Sequence, residues 1–177
     1  MKKIFLGLGA VLLVVVVVVV AAAAMQPSEM RVERTHVIDA PSTEIVGHLT
    51  DLHRWAEWNP WGELDPDMRL AFSEPAVGVD AWYTWDGNDD VGSGRMQIIE
   101  ATSGRVRYAL EFVEPFASEA EVEIALEPSG ETTRVVWVMT GQNDFMTKVM
   151  RLFMDIDGMI GADFERGLAN LDAAVTG

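Results

Sequence analysis

Residues 105–127, RVRYALEFVEPFASEAEVEIALE, decide the fold. Val106, Tyr108, Leu110 and Phe112 alternate with Arg107 and Glu111, and Val122, Ile124 and Leu126 alternate with Glu121 and Glu123. A period of two sends each set to one face of a strand. Two neighbouring strands, each apolar on one face and charged on the other, describe an antiparallel sheet with one face on a core and one in water.

The same pattern extends outward in both directions. Tyr83 and Trp85, Met96 and Ile98, then Val135, Trp137 and Met139 continue the apolar face through predicted strands at 81–85, 94–100 and 134–140. Turn signals separate them, among them Asp86-Gly87-Asn88, Ser103-Gly104 and Pro128-Ser129-Gly130. Short strands are expected at 30–38 and 68–73. Between these two, Ala40-Pro41-Ser42 opens a helix carrying Ile45, Val46 and Leu49 inward, with Ser42 or Thr43 accepting from the free backbone N–H groups. A second short helix over 52–58 ends at Asn59-Pro60.

The chain ends in helices at 145–154 and 156–175. In the second, Met159, Ile160, Phe164, Leu168 and Leu171 recur at helical spacing, with Asp163, Glu165, Arg166 and Asp172 mostly outward. The fold class is therefore α+β, a curved antiparallel sheet wrapped around a long C-terminal helix.

Residues 1–25 stand apart. No charge occurs from Ile4 to Met25, and Val14 to Val20 is an unbroken valine run. About 20 apolar residues cross a bilayer core. Lys2 and Lys3 on the near side predict a cytoplasmic N-terminus and an extracytoplasmic domain over 26–177. The segment thus reads as a single-pass transmembrane anchor. A cleavable signal peptide, cut near Ala24 to release the domain into the periplasm or medium, is the rival reading.

Composition narrows the function. A formal charge of −15 repels phosphate backbones and excludes nucleic acid as a partner. There is no cysteine, hence no disulfide, lipid-modified cysteine or thiolate metal site. His48 and His53 are five apart, off the i, i+4 spacing of a helical metal pair, and His36 lies in a strand. Asp65-x-Asp67 and Asp155-x-Asp157 lack the Gly and Glu of a calcium loop. No metal and no cofactor are expected. No serine stands in a nucleophile elbow, and no Gly-rich loop joins a strand to a helix outside the membrane segment.

Several short motifs follow the same order. They are Val37-Ile38-Asp39-Ala40-Pro41, Trp55-x-x-Trp58-x-Pro60-Trp61, Gly78-x-x-x-x-Tyr83-x-Trp85 and Gly92-x-Gly94-x-Met96-x-Ile98. Thr133-Arg134-Val135-x-Trp137 and Phe164-x-x-Gly167-Leu168-x-x-Leu171 complete the set. Together they resemble the SRPBCC or START-like superfamily, in its polyketide cyclase/dehydrase-like branch, whose architecture is the helix-grip fold. The resemblance implies a cavity between sheet and helix that takes lipids, sterols, hormones or polyketides.

The wall of such a cavity is expected to comprise Tyr83, Trp85, Met96, Ile98, Tyr108, Leu110, Phe112, Val122, Ile124, Trp137, Met139, Met159, Ile160, Phe164 and Leu168. Trp55, Trp58 and Trp61 would either form its entrance or plug the open end of the sheet. The same residues could instead fill a solid core. Three functions stay open: a membrane-anchored carrier of a hydrophobic small molecule or lipid, a cyclase/dehydrase-like enzyme in which Tyr83 or Tyr108 polarises a carbonyl, and a protein-interaction module with a closed core. With no acid and base predicted inside, the carrier leads.

Overall fold

The structure, a computed structural model, describes residues 2–177, with side chains described from Leu12 onward. Its elements are α1 (Lys2–Ala24), β1 (Glu29–Ile38), α2 (Ser42–Thr50), α3 (Leu52–Trp58), a 3-10 turn (Pro60–Glu63), β2 (Arg69–Phe72), β3 (Trp82–Asp86) and β4 (Ser93–Ala101). Then come β5 (Arg105–Glu114), β6 (Ser118–Ser129), β7 (Thr132–Gln142), α4 (Phe145–Met150) and α5 (Ile156–Thr176). They fall into two compact units, Met1–Met30 with Gln142–Ile156, and Arg31–Gly141 with Asp157–Gly177.

In the larger unit the strands form one curved sheet in the order β1-β7-β6-β5-β4-β3-β2. Hairpin connections make each consecutive pair from β2 to β7 antiparallel. Cross-strand register lines up the apolar face in rows. One row runs Ile98, Tyr108, Val122, Met139, and another runs Val106, Ile124, Trp137. β4 carries two register irregularities, at Ser93/Gly94 and Ile98/Glu100. Bulges of this kind bend a strand and sharpen its twist.

The opposite face is charged and paired. Arg107 bridges Glu100 and Glu121, Arg105 holds Glu100, and Arg134 holds Glu127. The guanidinium hydrogen bonds from Arg105 and Arg107 hold the Glu100 carboxyl below the usual carboxylate range.

Local chemistry fixes the helices. Asp51 caps α3 by accepting from His53 N and Arg54 N, and Asn59 caps the 3-10 turn by accepting from Trp61 N and Gly62 N. At α2 the expected Ser42 or Thr43 cap is not formed. Pro41 holds the cap position with extended backbone and has no side-chain acceptor to offer. α5 buries Phe164, Gly167, Leu168 and Leu171 against the sheet. Met159, expected inside, is 59% exposed, because the buried stripe runs through Ile160, Gly161 and Phe164 and leaves Met159 on the outer face.

In the smaller unit Asn143 ties the chain on both sides of its peptide. Its N–H donates to Ser28 O at 2.8 Å, and its Nδ2 donates to Pro27 O at 3.0 Å. Asp144 caps α4 through Thr147 N. Among the described residues no helix is long and apolar enough to cross a membrane. The span expected over residues 4–25 lies partly outside the described side chains.

Candidate functional site

The concave face of the sheet is not filled evenly. At one end α2 comes down onto β5 and β6, and Ile45, Leu49, Leu52, Ile98, Val106, Tyr108 and Ile124 reach complete burial. Tyr108 donates its hydroxyl to Leu49 O at 2.8 Å, which stitches the sheet to α2. Burial pushes its ionisation well above the ordinary tyrosine value. Trp58 is likewise sealed, its indole N–H donating to His48 O at 3.2 Å.

At the other end a cavity of about 270 Å³ remains. Tyr83, Trp85, Met96, Leu110 and Phe112 form its sheet wall on β3 to β5, continued by Val122, Trp137 and Met139 on β6 and β7. Ile160, Asp163 and Phe164 of α5 face them. Trp55, Asn59 and Trp61 contribute from α3 and the turn after it, and Met68, Asp90 and Val91 from loops.

Six expected residues are not on this wall: Met159, on the outer face of α5, and five that packing encloses. Ile98, Tyr108, Ile124 and Leu168 belong to the solid end, where helices cover the sheet directly. Trp58 plugs that end and is no entrance residue, whereas Trp61 is half-buried on the cavity wall. Trp55, expected only within the entrance-or-plug cluster, is on the wall, and sequence reasoning missed Asn59, Met68, Asp90, Val91 and Asp163 as wall residues. Asp163 sits three residues after Ile160 and next to Phe164, at the edge of the inward stripe, so its helical phase carried the signal. Asp90 and Val91 lie in the β3–β4 connection, whose position over the sheet no periodicity encodes.

Two close approaches shape the wall. Gly94 lies opposite Trp85 across β3 and β4, and a Cβ there would come within 2.5 Å of the indole ring and 2.3 Å of Glu111 O. The missing side chain is what lets Trp85 lie across β4. A Cβ on Gly167 would meet Trp137 at 2.9 Å and Pro60 at 3.0 Å, so this glycine lets α5 settle onto the indole. Trp137 then stacks on Phe164 with ring centroids 4.4 Å apart and an interplanar angle of 13°.

Polar groups on the wall are few. Asn59 is spent: its Oδ1 accepts from Trp61 and Gly62, and its Nδ2 donates to Ala56 O. Asp163 accepts from Arg166, and Asp90 is exposed. Tyr83, 7% exposed, accepts a hydrogen bond from Trp55 Nε1 at 3.2 Å. Burial raises its ionisation to about 12, against a small opposing effect of the Trp55 bond, so it is a neutral phenol at physiological pH. Among the described residues no cluster of His, Cys, Asp and Glu could hold a metal ion.

A curved antiparallel sheet gripping a long helix, with an apolar cavity between them, defines the helix-grip class. The chain belongs to the polyketide cyclase/dehydrase and lipid transport family of the SRPBCC superfamily, which it matches over residues 29–176. Solved structures agree on the fold. A protein from Chromobacterium violaceum superposes with a TM-score of 0.60 at 17% identity, over 86% of this chain and 99% of its own. Aha1 from Colwellia psychrerythraea, solved in solution as a dimer, gives 0.58 at 15%, over 82% and 96%. The di-domain ARO/CYC StfQ from the steffimycin biosynthetic pathway gives 0.59 at 13%, over 83% of this chain and 50% of its own. A comparison with curated proteins finds no match.

Proposed function

We propose that this chain is a binding protein that holds an apolar small molecule or lipid in the cavity between sheet and α5. The observation that carries this is the contrast within one sheet face, with a sealed core at one end and an apolar hollow at the other. Cores ordinarily pack to the density of organic crystals, so a hollow of this size in an otherwise filled interior points to an occupant. Family membership supports the same reading, since the family's description includes lipid transport.

In this reading the first 25 residues tether the domain to a membrane as a single-pass anchor, with Lys2 and Lys3 on the cytoplasmic side. Support comes from the uncharged run after those lysines and the helical form of Lys2–Ala24. The full-length protein is expected in the membrane fraction after carbonate washing. Recovery of a soluble form starting near Met25 would remove the tether from the proposal.

A second reading, a cyclase or dehydratase, is favoured by one observation. The Tyr83 phenol and the carboxylates of Asp90 and Asp163 share a cavity wall, which offers an acid and two bases. Native mass spectrometry of the full-length chain before and after organic extraction separates the readings. A carrier yields a released molecule that returns chemically unchanged when re-incubated. An enzyme converts it, and a chain that is empty and takes up no apolar dye sinks both.

A further inference from the structure

The hydrogen-bond inventory of the cavity is unbalanced. An indole N–H can only donate, so the Trp55–Tyr83 bond has a fixed direction, with the phenol oxygen as acceptor. The phenol's own proton must then go elsewhere, and among the described residues no group accepts it. Tyr108 shows the contrary case, since its proton is taken by Leu49 O. Trp137, also on the wall, has an indole N–H with no acceptor either. A buried donor without a partner is disfavoured by about 1–3 kcal/mol, and native interiors rarely tolerate one. The unmatched groups on this wall are donors.

Charge narrows the ligand further. Among the described residues no Lys, Arg or His lines the cavity, while Asp90 and Asp163 do. An anionic headgroup, carboxylate or phosphate, would be desolvated beside like charges with nothing to pair it. Size narrows it again, since about 270 Å³ lies at the small end of ligand pockets, which run from about 300 to 1,000 Å³.

Building on the cavity reading above, we propose that the ligand is a compact, uncharged molecule whose apolar body carries one carbonyl oxygen, seated on the Tyr83 hydroxyl. The Trp55 bond orients that hydroxyl and, by drawing on its oxygen, makes its proton a better donor. The aromatic wall of Trp85, Phe112 and Phe164 takes the ring or chain.

Three matched probes test this on the full-length chain in lipid nanodiscs, with empty discs correcting for partition into lipid. They are 2-acetylnaphthalene, 2-ethylnaphthalene, which lacks the oxygen, and 2-naphthoate, which carries a charge. The acetyl compound is expected to bind about three- to ten-fold more tightly than the ethyl compound, and naphthoate weakest. Tyr83→Phe should abolish the acetyl preference, bringing the acetyl and ethyl affinities together. Should that variant misfold, the infrared carbonyl stretch of bound acetylnaphthalene in the unaltered protein decides. It shifts to lower frequency if the oxygen is hydrogen-bonded and stays at its hydrocarbon-solvent position if it is not. Equal binding of acetyl and ethyl probes, a preference that survives Tyr83→Phe, tightest binding of naphthoate, or an unshifted stretch overturns the Tyr83 proposal and leaves the cavity reading standing. Failure of all three probes to bind overturns both.

Discussion

The two tyrosines of this chain occupy one sheet face and meet opposite fates. Tyr108 lies under α2, fully buried, with its hydroxyl spent on Leu49 O. Tyr83 lies toward the far end of the same face, receives a bond from Trp55, and borders a hollow. Trp55 touches both, with its ring 5.3 Å from that of Tyr108 and its N–H on Tyr83. Amino-acid type does not separate the two regions, since both are apolar and aromatic. What separates them is the covering layer: α2, Trp58 and the C-terminal half of α5 close one end, while Ile160 to Phe164 of α5, Trp55, Trp61 and loop residues enclose a hollow at the other.

The largest test of that contrast is a pair of equal truncations. Leu168→Ala in the sealed end should lower unfolding free energy by about 2–5 kcal/mol, because its neighbours cannot collapse into the void. Leu110→Ala on the cavity wall, where the side chain is already only half-buried, should lower it by about 1 kcal/mol. Denaturant unfolding measures both, and equal losses would break the distinction between a solid and a hollow end.

Alkaline titration tests the shared property of the two tyrosines, their burial. The chain has only these two, so tyrosinate absorbance reports on them alone. Tyr83 is raised to about 12 and Tyr108 is also raised, against an ordinary value of 10.0. A raised folded value means that the unfolded chain loses its proton first. The contribution to stability is full below pH 10 and falls as pH rises toward 12, by about 2–3 kcal/mol for Tyr83. Native protein at pH 10.5 should show almost no tyrosinate, and Tyr83→Phe should flatten the stability slope above pH 10. Half-titration near pH 10 would mean that the interior is open to solvent.

Much of this was legible in the sequence because strand periodicity records which side chains face inward. Val106 to Phe112 and Val122 to Leu126 put the concave face on the page, and the helical spacing of Phe164, Leu168 and Leu171 gave the element it grips. Periodicity does not record where a covering helix stops. Ile98, Tyr108, Ile124 and Leu168 have the same inward signature as Tyr83 and Met96, yet they sit under helices and line no cavity. The loop residues Met68, Asp90 and Val91 reach the cavity by long-range placement alone.

Hydroxyl removal sharpens the contrast at a single atom. Tyr108→Phe strands Leu49 O and should destabilise by about 1–3 kcal/mol with no change in probe binding. Tyr83→Phe strands the Trp55 N–H and carries a similar stability cost, but it alone alters the preference for the acetyl probe. If Tyr108→Phe altered that preference as strongly, the two hydroxyls would not be doing different jobs.

The smallest effects come from neighbouring residues of α5. Met159 is exposed, so Met159→Ala should change stability by no more than about 0.5 kcal/mol and leave probe affinity alone. Ile160, one residue on, reaches the cavity wall. Ile160→Ala enlarges the hollow beneath α5, removing apolar contact from the ligand while the sealed end keeps its packing. Its expected signature is a several-fold weaker hold on both naphthalene probes and an unchanged acetyl preference, since Tyr83 is untouched. A reversal, with Met159→Ala weakening binding and Ile160→Ala silent, would place α5 in a different helical phase over the sheet. The assignment of Phe164 and Asp163 to the cavity would then fall with it, because both are fixed to Ile160 by the same turn of helix.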